Sequence, residues 1–124
     1  MNNSKLFLPR KRTNMDQSKP AISNAKFSVG DLIHHSKFDY RGVIVDVDAD
    51  FQLTEEWYDK VARSRPPKDQ PWYHVLVHDT AQITYVAERN LEADTDKAPV
   101  NHPLISEYFS GFHDGHYQHE QLTN

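Results

Sequence analysis

The chain has 124 residues, a net charge of −4, 37% hydrophobic residues and no cysteine. That length and apolar content suit one small domain with some chain left outside its core, and the missing thiols exclude disulfides, thiolate nucleophiles and cysteine-ligated zinc or iron–sulfur centres. The charge is uneven: residues 1–26 carry Lys5, Arg10, Lys11, Arg12, Lys19 and Lys26 against Asp16, a sum of +5 that leaves −9 for the rest, and so acidic a body repels phosphate unless an arm or a local basic patch attracts it.

Residues 1–24 are rich in Asn, Ser, Lys and Arg, contain Pro9 and Pro20, and show no periodicity, which predicts a disordered basic arm. Its apolar run, Leu6 to Leu8, is too short for a secretory signal, and no stretch approaches the ~18 apolar residues of a membrane span, so a cytoplasmic location is expected. A turn at Gly30 and Asp31 precedes a short predicted strand, Leu32 to His35, and a long one from Arg41 to Asp48. In the long strand Val43, Val45 and Val47 alternate with Ile44, Asp46 and Asp48. "LTEEWYDKVARSRPPKDQP" reads as an inserted short helix, with Thr54 as N-cap, Glu55 and Glu56 in the first turn and Pro66-Pro67 as the stop.

The third strand, "WYHVLVHD", places Trp72, His74, Leu76 and His78 on one face and Tyr73, Val75 and Val77 on the other. Matched parity predicts one buried cluster of Val43, Val45, Val47, Val75 and Val77. "QITYVAE" and the turn "ERNLE" supply a fourth strand and a last short one, and five short strands joined mostly by turns favour a small barrel over a sandwich. From Ala93 to Val100 the chain reads as a linker. In "HPLISEYFSGFHDGHY" the residues Leu104, Ile105, Tyr108, Phe109 and Phe112 have the spacing of one helical face, with Pro103 at its start and Gly111 and Gly115 at its end. The expected organisation is an arm over 1–24, a barrel over 25–93, and a linker with a helical docking segment over 94–124. The docking segment covers the barrel or a neighbouring subunit, and its five apolar residues are candidates for self-association.

Spacing argues against a metal site. His74 and His78 on one strand stand about 13 Å apart at about 3.3 Å per residue, too far to share an ion with ligands near 2 Å from it. His34 and His35 point to opposite faces, and Gly111 and Gly115 disfavour a helix that would gather His113, His116 and His119. "DVDAD" lacks the central glycine and terminal glutamate of a calcium loop. No glycine-flanked serine or phosphate-binding loop is present, so neither a catalytic residue nor a cofactor is expected. What remains is a group of aromatic and basic residues near the barrel's rim: Phe38, Tyr40, Arg41, Trp72 and His74. They suit either a peptide or a stacked base, and Trp72 is equally well read as a cap on the core beneath the inserted helix.

Taken together, "KFSVGDLIHHSKFDYRGVIVDVD", "PWYHVLVHD" and "TYVAERNLE" closely resemble the HspQ family, also described as YccV-like or hemimethylated-DNA-binding proteins. The resemblance runs from Lys26 to Glu92 and has the inserted segment between Phe51 and Pro71 in its expected place. "HPLISEYFSGFHDGHY" is similar to the C-terminal extension of one branch of that family; the basic arm has no counterpart. The resemblance implies an SH3-like barrel, self-association commonly as a trimer, and a stress-related role without enzymatic activity. Two activities come with it: promoting turnover of denatured proteins by an ATP-dependent Lon-type protease, and binding hemimethylated DNA near the replication origin. The acidic body favours the first. For the second, Lys5, Arg10, Lys11, Arg12 and Lys19 are the candidate phosphate contacts.

Overall fold

The computed structural model describes residues 24–119, so the predicted arm up to residue 23, with its five candidate phosphate contacts, lies outside the described residues. The architecture is mainly β. After a turn at Val29 and Gly30, one residue earlier than expected and closed by the Asp31 amide on the Ser28 carbonyl at 3.0 Å, come β1 (Leu32–His35), β2 (Arg41–Asp48), α1 (Glu55–Val61), β3 (Trp72–Val77), β4 (Ile83–Ala87), a 3₁₀ turn (Glu88–Asn90) and β5 (Leu91–Ala93). They form one antiparallel sheet in the order β4-β3-β2-β1-β5. The edge strands β4 and β5 are joined through the 3₁₀ turn and do not pair with each other, so the ladder does not close into the expected barrel. All three residues of β5 are registered against β1, which leaves this short strand committed to one neighbour.

Both faces of the sheet are covered, and the single valine cluster expected from parity is not what forms. A β-bulge interrupts the β2–β3 register between Ile44 and Asp46, and the extra residue shifts the alternation of everything after it. Val43 and Val45 therefore pack with Leu32 and Leu76 on one face, whereas Val47 joins Ile33, Ile44, Tyr73 and Val75 on the other. Val77 is buried outside both groups. A third cluster gathers Phe51, Leu53, Tyr58, Trp72 and Tyr85 beneath α1. The helix starts where predicted: the Thr54 hydroxyl accepts from the Trp57 amide at 3.1 Å, and Glu55 and Glu56 sit in the first turn.

The C-terminal segment departs from the predicted helix. A single turn, α2 (Ile105–Tyr108), is followed by a hairpin of β6 (Gly111–His113) and β7 (His116–Gln118). The reason is the Asp114-Gly115 pair, with φ of 53° and 73°: positive φ at both central residues makes the tight turn whose twist matches a two-strand hairpin. Leu104, Phe109 and Tyr117 are buried against Val43, Val45 and Leu76, with Ile105, Tyr108 and Phe112 packed around them and partly exposed. The segment thus covers one face of its own sheet.

Several polar contacts hold it there. Tyr117 donates its amide to the Gly30 carbonyl at 2.9 Å, and His116 meets Asp31 at 3.0 Å. The Tyr117 hydroxyl accepts from the Val100 amide. Arg41 donates from Nε to Asp94 at 2.6 Å and from its terminal nitrogen to the Asp96 carbonyl at 3.1 Å, fastening the linker. No helix among the described residues is long and apolar enough to cross a membrane.

Candidate binding groove

A groove of about 610 Å³ runs between the β1–β2 loop, β4, and α1 with the turn that follows it. Trp57, Trp72 and Tyr85 line it from the aromatic cluster, while Phe38, Tyr40 and Val61 line it from the loop and the helix. Trp72 and Tyr85 stack with ring centroids 5.2 Å apart. Phe38 and Val61 are the large hydrophobic residues left most open to solvent among the described residues, 74% and 57% exposed, and both belong to this groove. Its charged lining is cationic, with Lys37 from the loop and Arg63 from the turn after α1, and no Asp or Glu takes part.

Of the residues expected at the rim, Phe38, Tyr40 and Trp72 line the groove; Arg41 and His74 do not. Arg41 is committed to the linker. Trp72 is only 1% exposed and donates its indole N–H to the Pro67 carbonyl at 3.0 Å, the position of a core cap beneath α1. Tyr40 is anchored to β4 by a 2.7 Å hydrogen bond between its hydroxyl and that of Thr84, and burial raises its pKa. Val61 and Arg63 come from the inserted segment, outside the set of rim residues. An apolar Val61 three residues after the buried Tyr58, in a helix with few other apolar positions, is the signal that points to it.

Two neighbouring histidines set the loop that carries Phe38, and they do so in opposite protonation states. His34 places Nε2 2.6 Å from Asp39 and Nδ1 2.7 Å from Glu92. A neutral imidazole has one N–H, so donating to both carboxylates requires the imidazolium. The hydrogen bonds to Asp39 and Glu92 raise its pKa above 6.5. His35 is buried, and its Nδ1 accepts from the backbone amides of Lys37 at 3.1 Å and Phe38 at 3.0 Å, which requires that nitrogen to be unprotonated. Burial, with smaller contributions from the charges of His34 and Lys37, lowers its pKa below 6.5. The His35 ring also stacks on Phe38 with centroids 4.7 Å apart.

The loop is consequently expected to be most stable near pH 6.5. The His34 contribution is complete below 6.5 and disappears as pH rises through its raised folded value. The His35 contribution is complete above 6.5 and disappears as pH falls through its lowered one. Amide exchange of Lys37 and Phe38, corrected for intrinsic rates, checks this: protection should peak near pH 6.5, and His34→Gln should flatten the alkaline limb alone. A protection profile rising or falling steadily across pH 5–8 would contradict it.

One grouping crosses strands and escaped the spacing argument. The register pairs Asp46 with His74, and Asp46, Asp48 and His74 offer ligand atoms within 4.8 Å of one another. Asp48 is 1% exposed and accepts from the Tyr85 hydroxyl at 2.7 Å, with His74 Nε2 3.3 Å away. Two carboxylates and an imidazole are a donor set that divalent metals accept. The hydrogen bonds to Tyr85 and His74 describe it equally well as a polar brace between β2, β3 and β4 under the aromatic cluster.

The YccV-like family, described as "Hemimethylated DNA-binding protein YccV like", matches residues 25–116 of this chain, and the chain belongs to that family. The match takes in the sheet, α1, the linker and the start of the C-terminal hairpin.

Proposed function

We propose that this YccV-like protein is a non-enzymatic, cytoplasmic, stress-related regulator that holds extended apolar segments of denatured proteins in the groove and so promotes their degradation by an ATP-dependent Lon-type protease. The observation that carries the reading is that Phe38 and Val61, the most exposed large hydrophobic residues described, converge on one groove over an aromatic floor. An apolar side chain entering there is desolvated against Trp57 and Tyr85, at a gain of about 25 cal/mol per Å² of apolar surface covered. The protease is drawn from the resemblance to HspQ proteins. The same resemblance implies an SH3-like barrel; the described sheet, in the order β4-β3-β2-β1-β5, is left unclosed between β4 and β5.

The experiment is degradation of a chemically unfolded client by purified Lon-type protease and ATP, with and without this protein. Faster client loss is expected with it. Phe38→Ala should weaken client binding by about 2 kcal/mol, roughly thirtyfold, with only a small fall in melting temperature, because the exposed side chain gives up little more than its stack on His35. Unchanged degradation across several clients, or a Phe38→Ala protein as active as wild type, would defeat the reading.

A second reading, recognition of hemimethylated DNA, is favoured by the family's description and by the cationic lining of the groove. On this reading Lys5, Arg10, Lys11, Arg12 and Lys19 supply sequence-independent phosphate contacts and the groove supplies the discrimination. Tighter binding to hemimethylated than to fully methylated duplex, kept when residues 1–23 are removed and lost in Phe38→Ala, would establish it.

A further inference from the structure

We infer that the groove selects apolar segments flanked by carboxylates: its preferred occupant is an extended peptide with an aromatic or large aliphatic residue between Asp or Glu side chains. The inference rests on the groove being the client site. Lys37 and Arg63 enter the lining from two different elements, and no carboxylate accompanies them. Of the other basic side chains, Arg65 and Lys68 are neutralised by Asp59 at 2.9 Å and Glu55 at 2.6 Å, whereas Lys60, Arg89 and Lys97 have no ion pair among the described residues but lie outside the lining. Neither Lys37 nor Arg63 has such an ion pair among the described residues.

Range decides how this local charge acts against the acidic whole. At physiological salt the Debye length is about 8 Å, so an occupant in contact with Lys37 and Arg63 feels them more strongly than the carboxylates spread over the remaining surface. Basic segments have the opposite experience, attracted to the acidic exterior and repelled at the groove. Charge sign thus sorts segments that would otherwise compete for the same apolar floor. Phosphates would satisfy the same cations, but the phosphate track of a duplex brings no apolar side chain to cover Phe38 and Val61, so a peptide fits both halves of the site.

The test uses three labelled twelve-residue peptides with a central Phe-Leu pair, flanked on each side by two Glu, two Gln or two Lys, titrated with the full chain by fluorescence anisotropy. The Glu peptide should bind at least about tenfold more tightly than the Gln peptide, and the Lys peptide most weakly, with the gap shrinking in 0.5 M NaCl as screening predicts. Combined Lys37→Glu and Arg63→Glu should invert the order while melting unchanged, since both side chains are on the surface. Equal affinity for all three peptides, lost in Phe38→Ala, would overturn charge selection and leave the client site standing. Binding unaffected by Phe38→Ala would overturn the client site itself. Displacement of the Glu peptide by a hemimethylated oligonucleotide at lower concentration than by unlabelled Glu peptide would reassign the cations to phosphate and overturn the peptide occupant.

Discussion

Trp72→Ala is expected to lower the stability of the domain by about 4 kcal/mol, within the range for deleting a large buried aromatic. The indole ring lies among Phe51, Trp57, Tyr58 and Tyr85, with centroids 5.0, 6.2, 6.3 and 5.2 Å away. Removing it leaves a void that the sheet backbone cannot follow, because Trp72 is paired on both sides, to Asp48 and to Ala87. A native domain is stable by only about 5–15 kcal/mol, so the loss is a large share of the total. Urea unfolding followed by circular dichroism measures it. Trp72→Phe should recover part of the loss. An Ala variant as stable as wild type that fails to bind clients would instead make Trp72 a partner anchor, the alternative left open by its sequence alone.

Gly30→Ala is expected to detach the C-terminal cover. Gly30 has a φ of +98°, and an added Cβ would lie 2.2 Å from the Tyr117 carbonyl oxygen and 2.9 Å from His116 Nε2. The backbone groups on either side are already engaged, with the Gly30 amide bonded to the Ile44 carbonyl at 2.8 Å and its carbonyl to the Tyr117 amide at 2.9 Å. The substitution therefore combines a left-handed-backbone penalty with overpacking against β7, together about 3 kcal/mol. Hydrogen exchange should quicken across residues 104–118, and exposure of the Val43, Val45 and Leu76 face should raise binding of an apolar dye. Protection of residues 104–118 equal to wild type would show that the hairpin absorbs the methyl group by a local shift.

Local chemistry made much of the fold legible. A turn at Gly30, found one residue earlier than the sequence suggests, the Thr54 cap and the boundaries of β1 and β2 each depend on a few adjacent residues, and each is legible in the sequence. The distribution of the valines was not. A bulge between Ile44 and Asp46 is decided by how β2 meets β3, and no period within β2 announces it. In the C-terminal segment the helical spacing of apolar residues competed with Asp114-Gly115, and the turn won because it fixes backbone angles, whereas spacing only suggests a face. Phe38 and Tyr40 stood out as rim aromatics, yet the groove also needs Val61 and Arg63, from an inserted segment more than twenty residues away. Such a partnership is set by tertiary packing alone.

The cover formed by the C-terminal hairpin has a consequence during translation. His116 and Asp31 are 85 positions apart in sequence, so the ribosome finishes every strand of the five-stranded sheet before it makes the residues that shield one side of it. At about 5–20 residues per second, the interval between Leu91 and Tyr117 lasts roughly 1–5 s. Any sheet that forms before the segment docks displays Leu32, Val43, Val45 and Leu76 without their partners Leu104, Phe109 and Tyr117, an apolar face open to aggregation.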